Sequence, residues 1–300
     1  MLKKRKYKLT IFTPTYNRGY VLHLLKESLC HQDRFDFEWL IIDDGSTDDT
    51  EQIISGWIEE HLPFDINYYK VNNGGKPRAI NLACELAQSE WLFMIDSDDS
   101  LVCNFVGFIE DAIDSIESDS TFVGVGVLRG HKNGIPFGKA LFDDYIDATN
   151  VQRSKYGLNF DCNEAYRVEV LRQYPFEVWH GENFVPEEVV LNEMSLHGYK
   201  LRWYNKVGVI SEYLPDGMTI GAWKLIKNNP MGYAMMYNHR LKYVQEYKKR
   251  INYICQFISY CIISGNSWYI RKCNSKYYGL FLPLGWLLSI RRRFQFRKIV

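Results

Sequence analysis

No two of the chain's seven cysteines (Cys30, Cys84, Cys103, Cys162, Cys255, Cys261 and Cys273) stand in a C-x-x-C spacing. An odd, scattered set without paired spacing argues against a zinc site and a disulfide framework, and reads as reduced thiols in a cytosolic protein. Also missing is an apolar stretch of the roughly 18–20 residues needed to cross a bilayer. The nearest candidates, YICQFISYCII and GLFLPLGWLLSI, are too short. The opening MLKKRKYKLTIF is basic and then apolar, but has neither the apolar core nor the small-residue cleavage site of a signal peptide. Neither sign of charge is in excess: Lys plus Arg and Asp plus Glu each number 36, so no global field favours nucleic acid. Repeats and low-complexity tracts are absent. What is present, 46% apolar and 24% charged residues over 300 positions, suits a globular protein of one large domain or two smaller ones.

The first hundred residues alternate between two periodicities. KLTIFTP, EWLIIDD, INYYKV and EWLFMID read as buried strands. Between them, Val21, Leu22, Leu25 and Leu29 mark one helical face, Ile53, Ile54, Trp57 and Ile58 a second, and Ala79, Leu82, Ala83, Leu86 and Ala87 a third. Asp48 is the expected N-cap of the second helix, with Glu51 three residues on. This alternation predicts an α/β domain with a mostly parallel sheet flanked by helices, whose ligands bind beyond the carboxyl ends of the strands. Polar residues collect at those ends: Thr13, Pro14 and Thr15, then Asp43 and Asp44, then Asp96 to Asp99.

Past residue 100 the pattern loosens. NFVGFIEDAIDSI reads as a helix, TFVGVGVLRG as a strand, residues 130–160 as a long loop, VPEEVVLNEMSLHG as a helix, and KLRWYN and GVISEYL as two strands. From about residue 216 the chain is aromatic and helical in character.

Asp96 and Asp98, one residue apart at a strand end, can hold a divalent cation and leave room for water and phosphate oxygens. A solvated acidic turn capped by Ser97 and Ser100 is the plainer reading of the pair taken alone. The ordered set of segments carries more weight: TIFTPTYNRGY, LIIDDGSTDDT, NNGGKPRAINLA and MIDSDD, one per strand. With these four segments the chain resembles the family 2 glycosyltransferases of the GT-A fold, of the bacterial capsule and exopolysaccharide type, over roughly residues 8–215.

The resemblance implies a Rossmann-like nucleotide-diphospho-sugar transferase domain over 1–215, with a donor half at about 8–100 and an acceptor half at about 101–215. A mainly helical region fills 216–300. It implies that Thr13, Pro14, Tyr16 and Arg18 line the nucleoside pocket with Asp44, and that Asp43 accepts a hydrogen bond from uracil. It also implies that Lys76, Asn81 and Ser97 approach the donor, and that Asp96 and Asp98 hold Mn²⁺ or Mg²⁺ against its diphosphate. An inverting transfer needs a base, and the matching segment FVPEEVVLNEM offers Glu187 first and Glu188 second; each could equally be a helix N-terminal acid.

His180 could touch the acceptor but better fits an ordinary partly buried histidine, and Asp99 is either a partner of the metal ligands or a turn acid. Arg202-Trp203 matches part of the Gln-x-x-Arg-Trp signature of processive synthases, but Tyr199 takes the glutamine position, which favours single-sugar transfer. A nucleotidyltransferase, the alternative, would carry a Gly-rich basic loop where TPTYNRGY stands. A receiver-like signalling module would place its lysine after the aspartate, not before it. A non-catalytic sugar-binding relative is the other alternative. EYLPDGMT and NNPMGYAMMYNHR resemble segments of capsule transferases. LFLPLGWLLSIRRRFQFRK sets an aromatic apolar segment beside a basic cluster, so residues 279–300 are expected to contact the inner face of the plasma membrane, near a polyprenyl-diphosphate-linked acceptor.

Overall fold

The structure, a computed structural model, describes residues 6–211 and 222–298. The chain divides into two compact units, one of residues 1–175 and 192–212, the other of 176–191 and 213–300. The expected division at residue 215 therefore differs from the observed grouping, which assigns Phe176–Leu191, the segment of the two candidate bases, to the C-terminal helices. Residue 215 itself lies outside the described residues, as does EYLPDGMT.

In the first unit, β1 (Leu9–Thr15), α1 (Gly19–Cys30), β2 (Phe37–Asp43), α2 (Thr50–Ile58), β3 (Asp65–Lys70), α3 (Lys76–Leu86) and β4 (Trp91–Met94) follow one another. Next come β5 (Ser100–Leu101), α4 (Phe105–Asp114), β6 (Phe122–Gly130), β7 (Tyr145–Ala148), β8 (Cys162–Arg167), α5 (Val168–Gln173), α6 (Glu188–Leu196, begun in the other unit) and β9 (Lys200–Ile210). Among the described residues the strands form one nine-stranded sheet in the order β3-β2-β1-β4-β8-β6-β9-β5, with β7 paired to β9. Pairing is parallel from β3 to β4 and antiparallel from β4 to β8 and from β8 to β6. The sheet is thus parallel over its first four strands and mixed beyond them.

The driving force is legible strand by strand. Every residue of β2 is buried, as expected for a central strand covered on both faces. Trp39, Trp91, Phe93, Phe105 and Phe37 are fully enclosed, and burying each such ring stabilises the fold by about 1.5–3 kcal/mol. Val21, Leu22, Leu25 and Leu29 of α1 all face that core. In α2 only Thr50 and Ile54 are buried, and Ile58 is exposed. The helix also starts one residue later than expected, with Asp49 at the N-cap position. Asp48 instead accepts hydrogen bonds from Thr50 and from the Gly19 N–H, linking α2 to the start of α1. The expected loop at 130–160 contains β7, and KLRWYN and the start of GVISEYL form the single strand β9.

In the second unit, α7 (Ala222–Asn228), α8 (Pro230–Arg240), α9 (Tyr247–Ile263) and α10 (Leu282–Arg297) pack round Met231, Phe257, Ile258 and Cys261. Glu182 closes the N-terminus of α8: its two carboxylate oxygens accept the N–H groups of Met231 (2.7 Å) and Gly232 (2.8 Å). Those N–H groups have no partner within the helix, so a carboxylate there supplies what the helix lacks. Gly232 permits the approach, because a Cβ at that position would stand 2.2 Å from the Phe184 carbonyl oxygen. Among the described residues no helix is long and apolar enough to cross a membrane.

Candidate active site

The carboxyl ends of β1, β2 and β4 bring the sequence motifs together, and hydrogen bonds between loops fix them. Asp44 leaves β2 and turns to β3's loop, where its carboxylate accepts the N–H groups of Gly74 (2.7 Å) and Gly75 (2.8 Å). The same loop is tied to β2 by Val71 N–H on the Asp43 carbonyl and by the Asn73 amide on the Asp44 carbonyl. Gly45, at φ +82°, is required at this corner, since a Cβ there would press to 3.0 Å of the Asn73 nitrogen. Gly45, Lys70, Val71, Asn72 and Asn73 line an open depression of about 740 Å³. Burial raises the Asp44 carboxyl, and the two glycine N–H groups oppose the rise.

Lys76 follows as the first residue of α3, and its ammonium lies 2.8 Å from Asp96 just beyond β4. On its other oxygen Asp96 accepts from Arg129 Nη2 at 2.7 Å, and the same nitrogen stands 3.0 Å from Asp99, a close ion pair without an aligned hydrogen bond. Arg129 sits near the end of β6 and is steadied by Asn163 of β8, whose amide oxygen accepts a hydrogen bond from its Nε–H (2.6 Å) while its amide nitrogen donates to the Met94 carbonyl. Ser211 hydrogen-bonds the second Asp99 oxygen. Two cations, one from the start of α3 and one from the end of β6, thus meet the acids that follow β4.

The three acids do not share one electrostatic condition. Burial would push Asp96 up, but the charges of Lys76 and Arg129 outweigh it and hold that carboxyl far below the usual carboxylate range. Burial pushes Asp99 up to about 7 against the pull of Arg129. Burial, and then the charge of Asp96, raises Asp98. The charges of Arg18 and Arg129 oppose that rise, and no hydrogen bond or ion pair joins the Asp98 side chain to another residue's among the described residues. Asp96 and Asp98 are hard oxygen donors one residue apart. Both Asp96 oxygens are held by Lys76 and Arg129, however, so a divalent cation here would rest on Asp98 and on the displacement of one of those cations from Asp96.

Other expected residues are placed differently. Thr13 is fully buried, and its hydroxyl accepts from the Trp39 indole (3.0 Å), so its side chain belongs to the core and not to a pocket wall. Asp43 is fully buried as well, with one oxygen on the Ser46 N–H (2.7 Å) and the other on the Tyr68 hydroxyl (2.7 Å). Pro14 and Arg18 are half-buried and Tyr16 is exposed at the end of β1. Asn81 lies half-buried on α3, and Ser97 is buried between the two candidate metal ligands. His180 is exposed.

In the second unit Glu187 precedes α6, and its carbonyl accepts the N–H groups of Val190 and Leu191. Glu188, the first residue of α6, is gripped on both oxygens by Arg240 of α8, at 2.6 Å and 2.6 Å. A carboxylate held by a two-pronged guanidinium is a poor candidate for taking a proton. Of the pair, Glu187 is better suited.

Sequence reasoning missed Arg129, Asn163 and Ser211. The signal for Arg129 was present: an arginine closing the apolar run FVGVGVLR breaks the rule for a buried strand as the acids after WLFMI do.

Residues 10–175 match the family model described as glycosyl transferase family 2. The poly(ribitol-phosphate) beta-N-acetylglucosaminyltransferase TarS of Staphylococcus aureus is 25% identical over 210 residues, covering 68% of this chain and 34% of TarS. The chain therefore spans about a third of that relative's length. The solved structure of S. aureus TarS 1–349 in complex with UDP-GlcNAc superposes with a TM-score of 0.56 at 18% identity, over 95% of this chain and 89% of that one. The mannosyltransferase PcManGT from Pyrobaculum calidifontis, solved with GDP-Man and Mn²⁺, gives a TM-score of 0.55 at 14% identity, over 98% of this chain and 85% of that one. At these identities the structural likeness speaks for the GT-A fold.

Proposed function

The chain belongs to glycosyl transferase family 2, and on that premise we propose that it moves one sugar, with inversion, from a UDP-sugar to a hydroxyl of a surface-polysaccharide acceptor. The observation that carries this reading is the cluster at the sheet's carboxyl edge, in which Lys76 and Arg129 meet Asp96, with the Asp98 carboxylate two residues on. Breaking a sugar–diphosphate bond builds negative charge on the departing nucleotide, and fixed positive groups at that point lower the barrier. Asp96 and Asp98 would hold Mn²⁺ or Mg²⁺, which when bound would supply further positive charge to the diphosphate.

The chain's own residues have separate tasks. Asp44 fixes the glycine loop and so the position from which Lys76 reaches the donor. Pro14, Tyr16, Arg18 and Asn81 border the donor, and Ser97 sets the spacing of the two acids. Asp43 holds its turn as folded here and would reach a uracil ring only with the Tyr68 hydroxyl turned aside. Glu187 takes the proton from the acceptor hydroxyl. Support for the uridine nucleotide comes from TarS, whose structure holds UDP-GlcNAc, and for the cation from PcManGT, solved with Mn²⁺. The acceptor is proposed to be carried on polyprenyl diphosphate at the inner face of the plasma membrane.

A panel of nucleotide sugars, each with and without Mn²⁺, tests the reading by thermal stabilisation and by sugar release. A UDP-sugar should raise the melting temperature more when Mn²⁺ is present, and Asp98→Asn should remove the metal-linked part. Glu187→Gln should keep UDP affinity while transfer falls roughly 10²–10⁴-fold. A chain that no nucleotide sugar stabilises, with or without the cation, would sink the proposal.

A further inference from the structure

Helix α10 is turned the opposite way from a helix that only packs on its own domain. The side chains facing inward are small or polar: Gly285, Ser289 and Arg292 are buried. Gly285 sets this orientation, because a Cβ there would stand 2.5 Å from Ile258 Cγ2 of α9. Arg292 stands over the Tyr260 ring, its guanidinium carbon 3.8 Å from the centroid, and donates to Gln256. Five of the helix's large apolar residues, Leu282, Leu284, Trp286, Leu287 and Phe294, are exposed. Leu287 is 55% exposed and Phe294 58%, and Leu280 in the turn just before the helix is 75% exposed.

Leu287 and Phe294 are seven residues apart, so they share one face of the helix, opposite the buried stripe. At 100° per residue, Arg293 and Arg297 flank that ridge on one side and Arg291 and Lys298 on the other. The surrounding charge is one-sided. After Glu246 the sequence has eleven Lys and Arg and no Asp or Glu, so the neutral chain divides into an acidic body and a strongly basic end.

We propose that this face of α10 lies flat on an anionic lipid surface, with Leu287 and Phe294 among the acyl chains and the flanking arginines on lipid phosphates. A helix of 16 residues is too short to span but suited to lie in the interface. Nucleic acid would satisfy the cations yet leave the apolar ridge in water. A second copy of the same face would set like charges against each other. The inference stands apart from the sugar-transfer reading, because it rests on the second unit alone.

Sedimentation of the full chain with vesicles tests it. The protein should pellet with vesicles rich in phosphatidylglycerol, much less with phosphatidylcholine alone, and the difference should shrink as salt rises. Leu287→Glu combined with Phe294→Glu should cut the partition at least about tenfold. The melting temperature should stay unchanged, because both side chains are exposed. Arg293→Gln and Arg297→Gln should each cost roughly fivefold, the equivalent of about 1 kcal/mol per cation at the surface. A wild-type chain that ignores anionic vesicles at low salt would overturn the proposal, as would a double variant that binds them equally well. Dimers in the ultracentrifuge, abolished by the same double variant with no vesicle binding, would assign the face to a second copy.

Discussion

Replacing Arg129 with methionine removes the cation that two buried carboxylates share while keeping most of the side-chain volume. Asp96 would still have Lys76 at 2.8 Å, but Asp99, whose side chain is 4% exposed, would be left with only the Ser211 hydroxyl. Removing one partner of a buried ion pair costs about 3–5 kcal/mol, because the other charge stays behind without compensation. Lys76 retains part of the field, so the lower end applies, about 3 kcal/mol. For a unit of this size each kcal/mol lowers the melting temperature by about 2–4 °C, which gives a fall of about 6–12 °C by calorimetry or circular dichroism.

The pH dependence has a definite sign. Asp99 is raised from 3.8 to about 7, so the folded state takes up protons there, and ionising this group removes stability as pH climbs from about 4 to 7. Without Arg129 that window extends further upward, so the deficit of Arg129→Met should be larger at pH 8 than at pH 5. Adding Asp99→Asn should restore more than half of the loss, since removing both members of such a pair is close to neutral. A single variant melting within about 2 °C of wild type, or a double variant no better than the single, would show that the Arg129–Asp99 pair is not what holds this corner.

Three further outcomes are expected. Asp44→Ala leaves the Gly74 and Gly75 N–H groups without their acceptor, so it should cost about 1–3 kcal/mol in denaturant titration and weaken donor binding through Lys76. Glu182→Gln keeps one acceptor but aims an amide N–H₂ at a backbone N–H of α8, and should lower stability by about 1–3 kcal/mol; unchanged melting would dismiss the capping role. Gly232→Ala forces a Cβ against the Phe184 carbonyl and should destabilise the second unit despite alanine's better helix propensity, which proteolysis of α8 would report.

Much of the first hundred residues was legible because two signals agree there. Apolar runs such as EWLIID and EWLFMI are long enough to be strands, and their abrupt polar ends mark the sheet's carboxyl edge. Beyond residue 130 the signals weaken. The strand β7 is only four residues long and three of them are not buried, so YIDA carries no pattern that separates it from loop. The merging of KLRWYN with the next segment into β9 was hidden by Asn205 and Lys206, which are exposed within the strand. Pairing across distance is the other limit. Nothing local in Glu188 announces Arg240, 52 residues away, yet that pairing is what distinguishes the two candidate bases. Thr13 was misplaced for the same reason, since Trp39 on the neighbouring strand claims its hydroxyl.

The segment from Val71 to Gly75 is fastened at both ends to one strand, by backbone at its start and by a carboxylate at its close. A tether of that kind tolerates substitution but not insertion. Asn72, exposed between the two anchors, can be exchanged at little cost, while one added residue would slacken the span and shift Lys76 off Asp96. Variation in that loop is therefore expected in its letters and not in its length.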